Sequence, residues 1–444
     1  MKTIRVGVTG LRRAGKTVFL TSTIYNLLMT TGEHLRKFRK ASVSYNGKEL
    51  PPPRGTQRFD IEDKLRHYRE KPPSWPEPTE DITGFQIELK LTCEGKRKKR
   101  HRLIFVDYPG ERLLDTCLLK LSYPDWSDDV LRRFLACDGL RKVASEEYLT
   151  AIHSAVTPNA TTGDVFGELC GAYGKFCAAV YGDGLVLPPT EPSVTKPDSL
   201  ARAFCPLPVA VRNVTPTLAK RMEAAYDQYR QKTVRPFLEQ IASCTHQIVL
   251  VDVLGILRAG QPERFNQARD EVGGVLQHFK YLQDGQCGII KCIRNMWAKL
   301  AFRPPRVRNV IFCCTKADQA GLNTRPNLKT LLQELVRKSA QHIGYQAGLK
   351  RINYRYCAAN CATTPGKADH HGQKISVLLG RVKGESSETE EQRYPGEVPV
   401  EWPNFAEDWG DCRFPDFDPR PLSPRDGAEI PHVNTYAPPQ HGFT

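Results

Sequence analysis

No stretch of about twenty consecutive apolar residues occurs in this chain, so no membrane-spanning helix is expected. Met1-Lys2-Thr3-Ile4-Arg5 runs straight into an apolar segment and leaves no room for a cleavable leader. A cytoplasmic chain is the expectation. None of the fourteen cysteines forms a Cys-x-x-Cys pair, which argues against a zinc site. Several, such as Cys313-Cys314, fall inside apolar segments, and reduced, buried thiols are expected. An RNA-binding or helix-turn-helix signature is also missing, so nucleic acid is not an expected partner.

Charge is abundant but unevenly spread. Between Glu385 and Asp418 eleven acids face only Arg393 and Arg413, a net −9, which leaves +24 on the rest of a chain whose total is +15. That surplus suits an anionic partner: a nucleotide, a membrane surface or nucleic acid. The densest run, Lys96-Arg97-Lys98-Lys99-Arg100-His101-Arg102, lies between two apolar strands and reads as a solvated hairpin tip.

The most informative residues are Gly10-Leu11-Arg12-Arg13-Ala14-Gly15-Lys16-Thr17, which fit the phosphate-loop pattern G-x-x-x-x-G-K-[ST]. A polyphosphate needs many donors converging on it, and a glycine-rich turn lets backbone N–H groups approach closely. The loop from Gly10 through Arg12, Arg13, Ala14 and Gly15 to Val18 is the expected cradle. Lys16 would place a cation between β- and γ-phosphates, and the Thr17 hydroxyl would ligate Mg²⁺. Ile4 to Val8 reads as a buried strand before the loop. Leu20, Ile24, Leu27 and Leu28 form one helical face after it. Strand, glycine loop and helix N-terminus together make an anion site.

Lys37 to Thr83 is polar and proline-studded and reads as a long, partly mobile loop. Phe85 to Leu91 alternates as a strand, and Leu103 to Val106 makes a second. Residues 111–245 carry helical stretches, Val130 to His153 and Leu218 to Ala242, with proline-rich connectors around Leu187 to Pro208. Strands and helices then alternate again. Ile248 to Val251 is a strand, Phe265 to Phe279 a helical stripe, and Val310 to Cys314 a strand. Leu328 to Val336 reads as a helix and Ile352 to Cys357 as the last strand. From Pro365 the rhythm is lost, and irregular structure with a disordered end is expected. The expected fold is α/β, a mostly parallel sheet covered by helices on both faces, with a large helical insertion. Its divisions are a discontinuous nucleotide-binding domain at 1–110 and 246–362, the helical insertion at 111–245, and a Pro-rich, acidic C-terminal region at 363–444.

Two further motifs follow predicted strands. In Asp107-Tyr108-Pro109-Gly110 the aspartate can hold the Mg²⁺ shell and the Gly110 N–H can meet the γ-phosphate. Thr315-Lys316-Ala317-Asp318 resembles the base-reading Asn-Lys-x-Asp of GTPases, with threonine in place of asparagine. The Asp318 carboxylate would accept from guanine N1–H and the exocyclic amine. Adenine offers no such donor pair. The Lys316 stem would cover the base, and Ala358 and Ala359 stand where an alanine N–H meets the guanine carbonyl.

Gly10 to Phe19, Val106 to Glu111, Ala259-Gly260-Gln261-Pro262, Thr315 to Asp318, Tyr394 to Pro399 and Phe414-Pro415-Asp416-Phe417 resemble the YcjX family of bacterial P-loop NTPases. The likeness spans nearly the whole chain. It departs after Pro431-His432, where family members continue into a leucine-rich helix and this chain runs to Asn434-Thr435-Tyr436. The resemblance implies a cytosolic GTPase-like enzyme with a helical insertion, associated with envelope stress and with an inner-membrane protein partner. The expected reaction is hydrolysis of GTP to GDP and phosphate. Glu111 sits where many GTPases place a water-orienting glutamine, and Arg12 or Arg13 is a candidate finger in cis. Thr79 or Thr83 would complete the Mg²⁺ shell. A scaffold with negligible turnover and an ATPase stay open, as does the oligomeric state.

Overall fold

Strand β1, Lys2–Gly10, begins exposed at Lys2 and ends with Val6 and Val8 buried, as a strand entering the middle of a sheet must. The computed structural model describes residues 2–10, 14–29, 43–76, 82–93, 99–108, 111–119, 121–134, 139–156, 164–182, 189–190, 203–260, 262, 265–266, 268–269, 307, 309–321, 323–347, 351–357, 363–370, 373–383, 391–403 and 414–419. They fall into two compact units. One is Met1–Gly110 with Ile241–Asp284 and Arg303–Thr444; the other is Glu111–Gln240 with Gly285–Phe302.

The first unit is built on an eight-stranded sheet. Its strands after β1 are β2 (Val43–Leu50), β3 (Gln57–Arg58), β4 (Thr83–Cys93), β5 (Lys99–Asp107), β6 (His246–Val251), β7 (Asn309–Cys314) and β8 (Arg351–Tyr356). The spatial order is β2-β4-β5-β1-β6-β7-β8, with β3 beside β4. From β5 to β8 all neighbours are parallel, while β4 runs against β5 and β2 against β4. The expected mostly parallel α/β sheet, helices on both sides, is therefore present. Helix α1, Lys16–Met29, buries Leu20, Ile24 and Tyr25 in one core with Val6, Val8, Phe85, Ile87 and Phe105. The basic run lies partly in strand: Lys99 and Arg100 are exposed on β5, while residues 94–98 are outside the described set.

The loop expected between Lys37 and Thr83 is corrected. It contains β2 and helix α2, Ile61–Arg69, whose Asp60 cap accepts from the Asp63 N–H at 3.1 Å. Only Ile61, Leu65 and Tyr68 of that helix are buried, spaced four and then three residues apart along one face. The irregular structure expected from Pro365 is also corrected. Strands β9 (Thr363–His370), β10 (Gln373–Gly380) and β11 (Glu391–Arg393) form a three-stranded antiparallel sheet in the order β11-β10-β9. Pro365 lacks an N–H to donate and is tolerated because β9 is an edge strand, with a register shift opposite it between Val377 and Leu379. The stripe from Phe265 to Phe279 and the expected disordered end lie mostly or wholly outside the described residues.

The second unit opens with a 3₁₀ segment, Glu111–Leu119, followed by α3 (Tyr123–Phe134), α4 (Gly139–Val156), α5 (Val165–Gly182), α6 (Val209–Val214), α7 (Pro216–Tyr229) and α8 (Arg235–Ala242). The described residues of the stretch from Val130 to His153 fall in two helices, α3 and α4, with residues 135–138 outside the described set. Between α7 and α8 lies a π turn, Arg230–Val234, in which the Arg235 N–H reaches back to the Arg230 carbonyl. Pro236 cannot donate to the carbonyl one α-turn earlier, and the inserted residue absorbs that loss. The proline-bearing connector Cys205-Pro206-Leu207 is buried in a helical unit that offers it no ladder. Its three carbonyls accept instead from the Tyr123, Tyr148 and Ser127 hydroxyls at 2.7, 2.7 and 2.8 Å.

Asp115 is buried in this unit. It accepts from the Tyr229 hydroxyl at 2.6 Å and the Thr190 N–H at 2.7 Å, with Arg112 and Tyr173 also facing it. Burial nevertheless pushes its carboxyl up to about 6. The unfolded chain ionises such a group near about 3.9, so between those values the folded state holds the extra proton. Stability then falls as pH rises through that window, by on the order of 3 kcal/mol in total. Asp115→Asn keeps an acceptor and removes the titration. Urea denaturation followed from acidic to neutral pH should show the variant losing less stability than the native chain across that window, by that amount.

Candidate nucleotide-binding site

Five parallel strands, β5 through β8 with β1 among them, present their carboxyl ends along one sheet edge. Ligands of such sheets bind there, beside the strand from which the chain departs in both directions. That strand is β1. The chain goes from β1 toward β2, β4 and β5, then returns past it to β6.

Gly10 ends β1, paired with Leu250 of β6. A Cβ at Gly10 would stand 2.7 Å from the Leu250 carbonyl oxygen and 3.3 Å from the Ala14 Cβ, so only glycine lets the loop leave the strand here. Gly15 has φ +75°, which a side chain would oppose. It carries the first helical carbonyl, accepting from the Phe19 N–H at 2.9 Å. Lys16, Thr17 and Val18 therefore form the first turn of α1, whose N–H groups have no intrahelical acceptor and present partial positive charge. Ala14 is buried and Thr17 nearly so. Arg12 and Arg13 lie outside the described residues.

Asp107 is the last residue of β5 and is buried. It pairs in register with Val8 on one side and Thr83 on the other. Directly opposite residues share a sheet face, and alternation puts Asp107 and Thr83 on the face of Phe105 and Phe85, the one that α1 covers. Thr17, Asp107 and Thr83 thus bring three hard oxygen donors to one end of one face. The Thr83 Oγ1 is buried with no hydrogen-bond partner among the described residues. Such a donor set fits Mg²⁺, which takes few protein oxygens and completes its shell with phosphate and water. Thr79 and Gly110 are outside the described residues. Glu111 begins the 3₁₀ segment of the other unit, and its side chain is not described.

Tyr108 anchors the motif from behind. It is fully buried, its N–H donates to the Val8 carbonyl at 3.2 Å, and its hydroxyl donates to Gln247 Oε1 at 2.8 Å. Burial holds its hydroxyl well above the usual range, so it stays a donor. The Gln247 side chain fills the space where a Cβ of Gly7 would stand. Tyr108→Phe strands a buried amide oxygen and should lower unfolding stability by about 1–3 kcal/mol, readable by urea denaturation.

The third motif follows β7. Thr315 bonds back to the end of β6, its N–H donating to the Val251 carbonyl at 3.0 Å. The Ala317 N–H donates to the Cys357 carbonyl at 3.0 Å, and the Cys357 N–H to the Cys314 carbonyl at 2.8 Å. The Thr-Lys-Ala-Asp loop is thereby tied to the residue preceding Ala358 and Ala359, which are themselves outside the described residues. Asp318 is buried, and its charge is felt at the Cys357 thiol. Cys313, Cys314 and Cys357 are all buried here. A bond with Cys313 together with burial pushes the Cys357 thiol well up, and burial does the same to Cys314.

Lys316 is the one non-glycine residue with positive φ among the described residues, at +59°. A left-handed lysine costs about 1–3 kcal/mol and persists only where neighbours over-determine it. Its ammonium lies 2.5 Å from Asp252 Oδ2, at the carboxyl end of β6. Burial pulls the lysine down, but Asp252 by charge and hydrogen bond, with Asp416 behind it, outweighs that and raises it. Asp252 also caps helix α9, Val253–Arg258, accepting from the Gly255 N–H at 2.8 Å. Sequence reading missed Asp252. Its one visible sign is an acid directly after a buried strand, the placement that singled out Asp107.

Phosphate loop, strand-end aspartate and Thr-Lys-x-Asp loop along one edge of a mostly parallel sheet define a GTPase-like P-loop protein. Residues 4–435 match the model of the YcjX-like family, DUF463, and the chain belongs to that family. It is similar to the "Ras-like GTPase YcjX" of Escherichia coli strain K12, 27% identical over 433 residues, covering 91% of this chain and 87% of that protein. The protein of the same name from Shewanella oneidensis strain MR-1 is 25% identical over 437 residues, covering 90% and 85%.

Proposed function

We propose that the chain binds guanine nucleotide with Mg²⁺ and hydrolyses GTP to GDP and phosphate, the two nucleotide states differing in the surface offered to a partner. The observation that carries this reading is the Thr-Lys-Ala-Asp loop. It is strained at Lys316, bonded to Cys357, and sits two strands from the phosphate loop on the same edge. A base-reading carboxylate belongs there, and Asp318 accepting from N1–H and the exocyclic amine gives guanine over adenine.

The phosphate-loop N–H groups from Gly10, Arg12, Arg13, Ala14 and Gly15 to Val18 hold the phosphates, and Lys16 neutralises charge building on the β–γ bridge. Thr17 and Asp107 hold Mg²⁺, joined in the triphosphate state by Thr83 or Thr79. When bound, the ion supplies charge stabilisation on the β- and γ-oxygens. Gly110 donates to the γ-phosphate, Glu111 orients the attacking water, and Ala358 and Ala359 close over the guanine carbonyl. Support comes from the family and from relatives named Ras-like GTPase. The resemblance to a family tied to envelope stress and an inner-membrane partner points to action at the cytoplasmic face. Among the described residues no helix is long and apolar enough to cross a membrane.

Calorimetry with GTP, GDP and ATP, paired with multiple-turnover phosphate release, tests the reading. Guanine nucleotides should bind and ATP should not, and Lys16→Ala should abolish release. Equal binding of ATP would replace it with an ATPase. Tight GTP binding without release would leave a nucleotide-dependent scaffold, which a carboxylate at Glu111 beside the γ-phosphate would favour.

A further inference from the structure

The Phe414-Pro415-Asp416-Phe417 segment lies far along the chain from every nucleotide motif, yet its polar bonds reach the base-reading loop, through Gln319 directly and through Arg258. Arg258, the last residue of α9, is the hub. It donates to the Phe414 and Pro415 carbonyls, both at 3.0 Å, and to Gln319 Oε1 at 2.9 Å, and it stands 3.4 Å from Asp416 Oδ2. Gln319, buried and adjacent to Asp318, donates in turn to Asp416 Oδ1 at 3.2 Å. The segment is pinned on its other side by Lys383, whose N–H donates to the Asp416 carbonyl at 2.9 Å, and by a bridge between Val382 and Phe417.

We propose that Asp416 and Asp252 are positioning residues for guanine selection, holding from two sides the loop that carries Lys316 and Asp318. This rests on the reading of Asp318 as the base-reading carboxylate. Asp252 fixes the far end of Lys316, and Asp416 fixes Gln319 beside Asp318. The chain between the two grips is only four residues long and includes the strained lysine. The segment buries Phe414 and Phe417, the latter against Leu378, Trp75 and Val382. Beyond that cohesion it sets the Asp416 carboxylate against Arg258 and Gln319, the second of them adjacent to the base reader. A left-handed lysine relaxes when its neighbours let go. Relaxation would carry the Lys316 stem off the base and turn the Asp318 carboxylate, leaving the phosphate loop untouched.

The test uses the full-length chain with GDP, inosine diphosphate (which lacks the exocyclic amine) and tripolyphosphate (which lacks the base). Asp416→Asn should weaken GDP about tenfold, the loss expected when one charge-assisted bond goes. Its GDP preference over inosine diphosphate should shrink, and tripolyphosphate affinity should be unchanged. Asp416→Glu should recover most of the loss. Asp252→Asn preserves the helix cap, because asparagine caps equally well, and should behave like Asp416→Asn. The idea is overturned if both asparagine variants match the unaltered chain in GDP affinity and selectivity. It is equally overturned if tripolyphosphate binding falls in step with GDP, which would make the strap a cohesive element. Lys16→Ala and Asp318→Ala are run alongside. An Asp318→Ala variant that binds GDP as well as the unaltered chain removes the base reader itself, and both proposals fall with it.

Discussion

Asp318→Asn should exchange guanine for xanthine preference. A carboxylate offers two acceptors, matching the N1–H and amine of guanine. An asparagine amide offers one acceptor and one donor, matching N1–H and the O2 of xanthine. With GDP the variant would bring an N–H against an amine in a buried setting, and Asp318 is only 4% exposed. Losing one charge-assisted bond and leaving two donors opposed should cost on the order of 10²–10⁴ in affinity. Xanthosine diphosphate should gain in the same variant. Competition of the two diphosphates against a fluorescent nucleotide measures the exchange. Loss of GDP with no gain for xanthosine diphosphate would mean that Asp318 supports the loop without touching the base.

Gly10→Val should be the most damaging single change in the phosphate loop. The Cβ alone would meet the Leu250 carbonyl at 2.7 Å and the Leu250 Cβ at 2.8 Å, and valine adds two methyl groups. Both atoms belong to Leu250, the penultimate residue of β6, which cannot yield without disturbing its pairing with Cys313 of β7. The loop must therefore move, and a displacement near 1 Å of the groups around a reacting phosphate costs on the order of 100-fold in rate. Steady-state phosphate release should show that loss in kcat/KM. Thermal unfolding should fall far less, because the strain sits at a strand end. A variant with normal turnover would show that the loop adjusts, and that Gly10 is required by neither sterics nor function.

The phosphate loop, the strand-end aspartate and the Thr-Lys-x-Asp loop were legible because each packs its chemistry into four to eight consecutive residues after an apolar strand. The sheet was legible for the same reason. Parallel strands buried on both faces read as continuous apolar runs, as Ile248 to Val251 and Val310 to Cys314 do. Helix α2 escaped because only three of its residues are buried and it is set among prolines. Strand β2 escaped because Val43-Ser44-Tyr45-Asn46-Gly47-Lys48-Glu49-Leu50 is a polar edge strand that one neighbour, β4, holds in register. The β9–β10 pair was hidden by Pro365 and Gly366, residues that normally end strands. The grip on Lys316 was invisible in principle. Asp252, the stretch from Lys316 to Gln319, and Asp416 come from three segments, and only the folded sheet edge brings them together.

The buried thiols on β7 and just past β8 turn the rim that carries the Thr-Lys-Ala-Asp loop into its own reporter. Shut from solvent, Cys313, Cys314 and Cys357 stay inert toward alkylating reagents while the strands remain paired, and burial also holds Cys314 and Cys357 protonated. Their labelling therefore records how often that rim breathes open. On the proposed function, a bound nucleotide would favour the closed form through mass action and slow the clock.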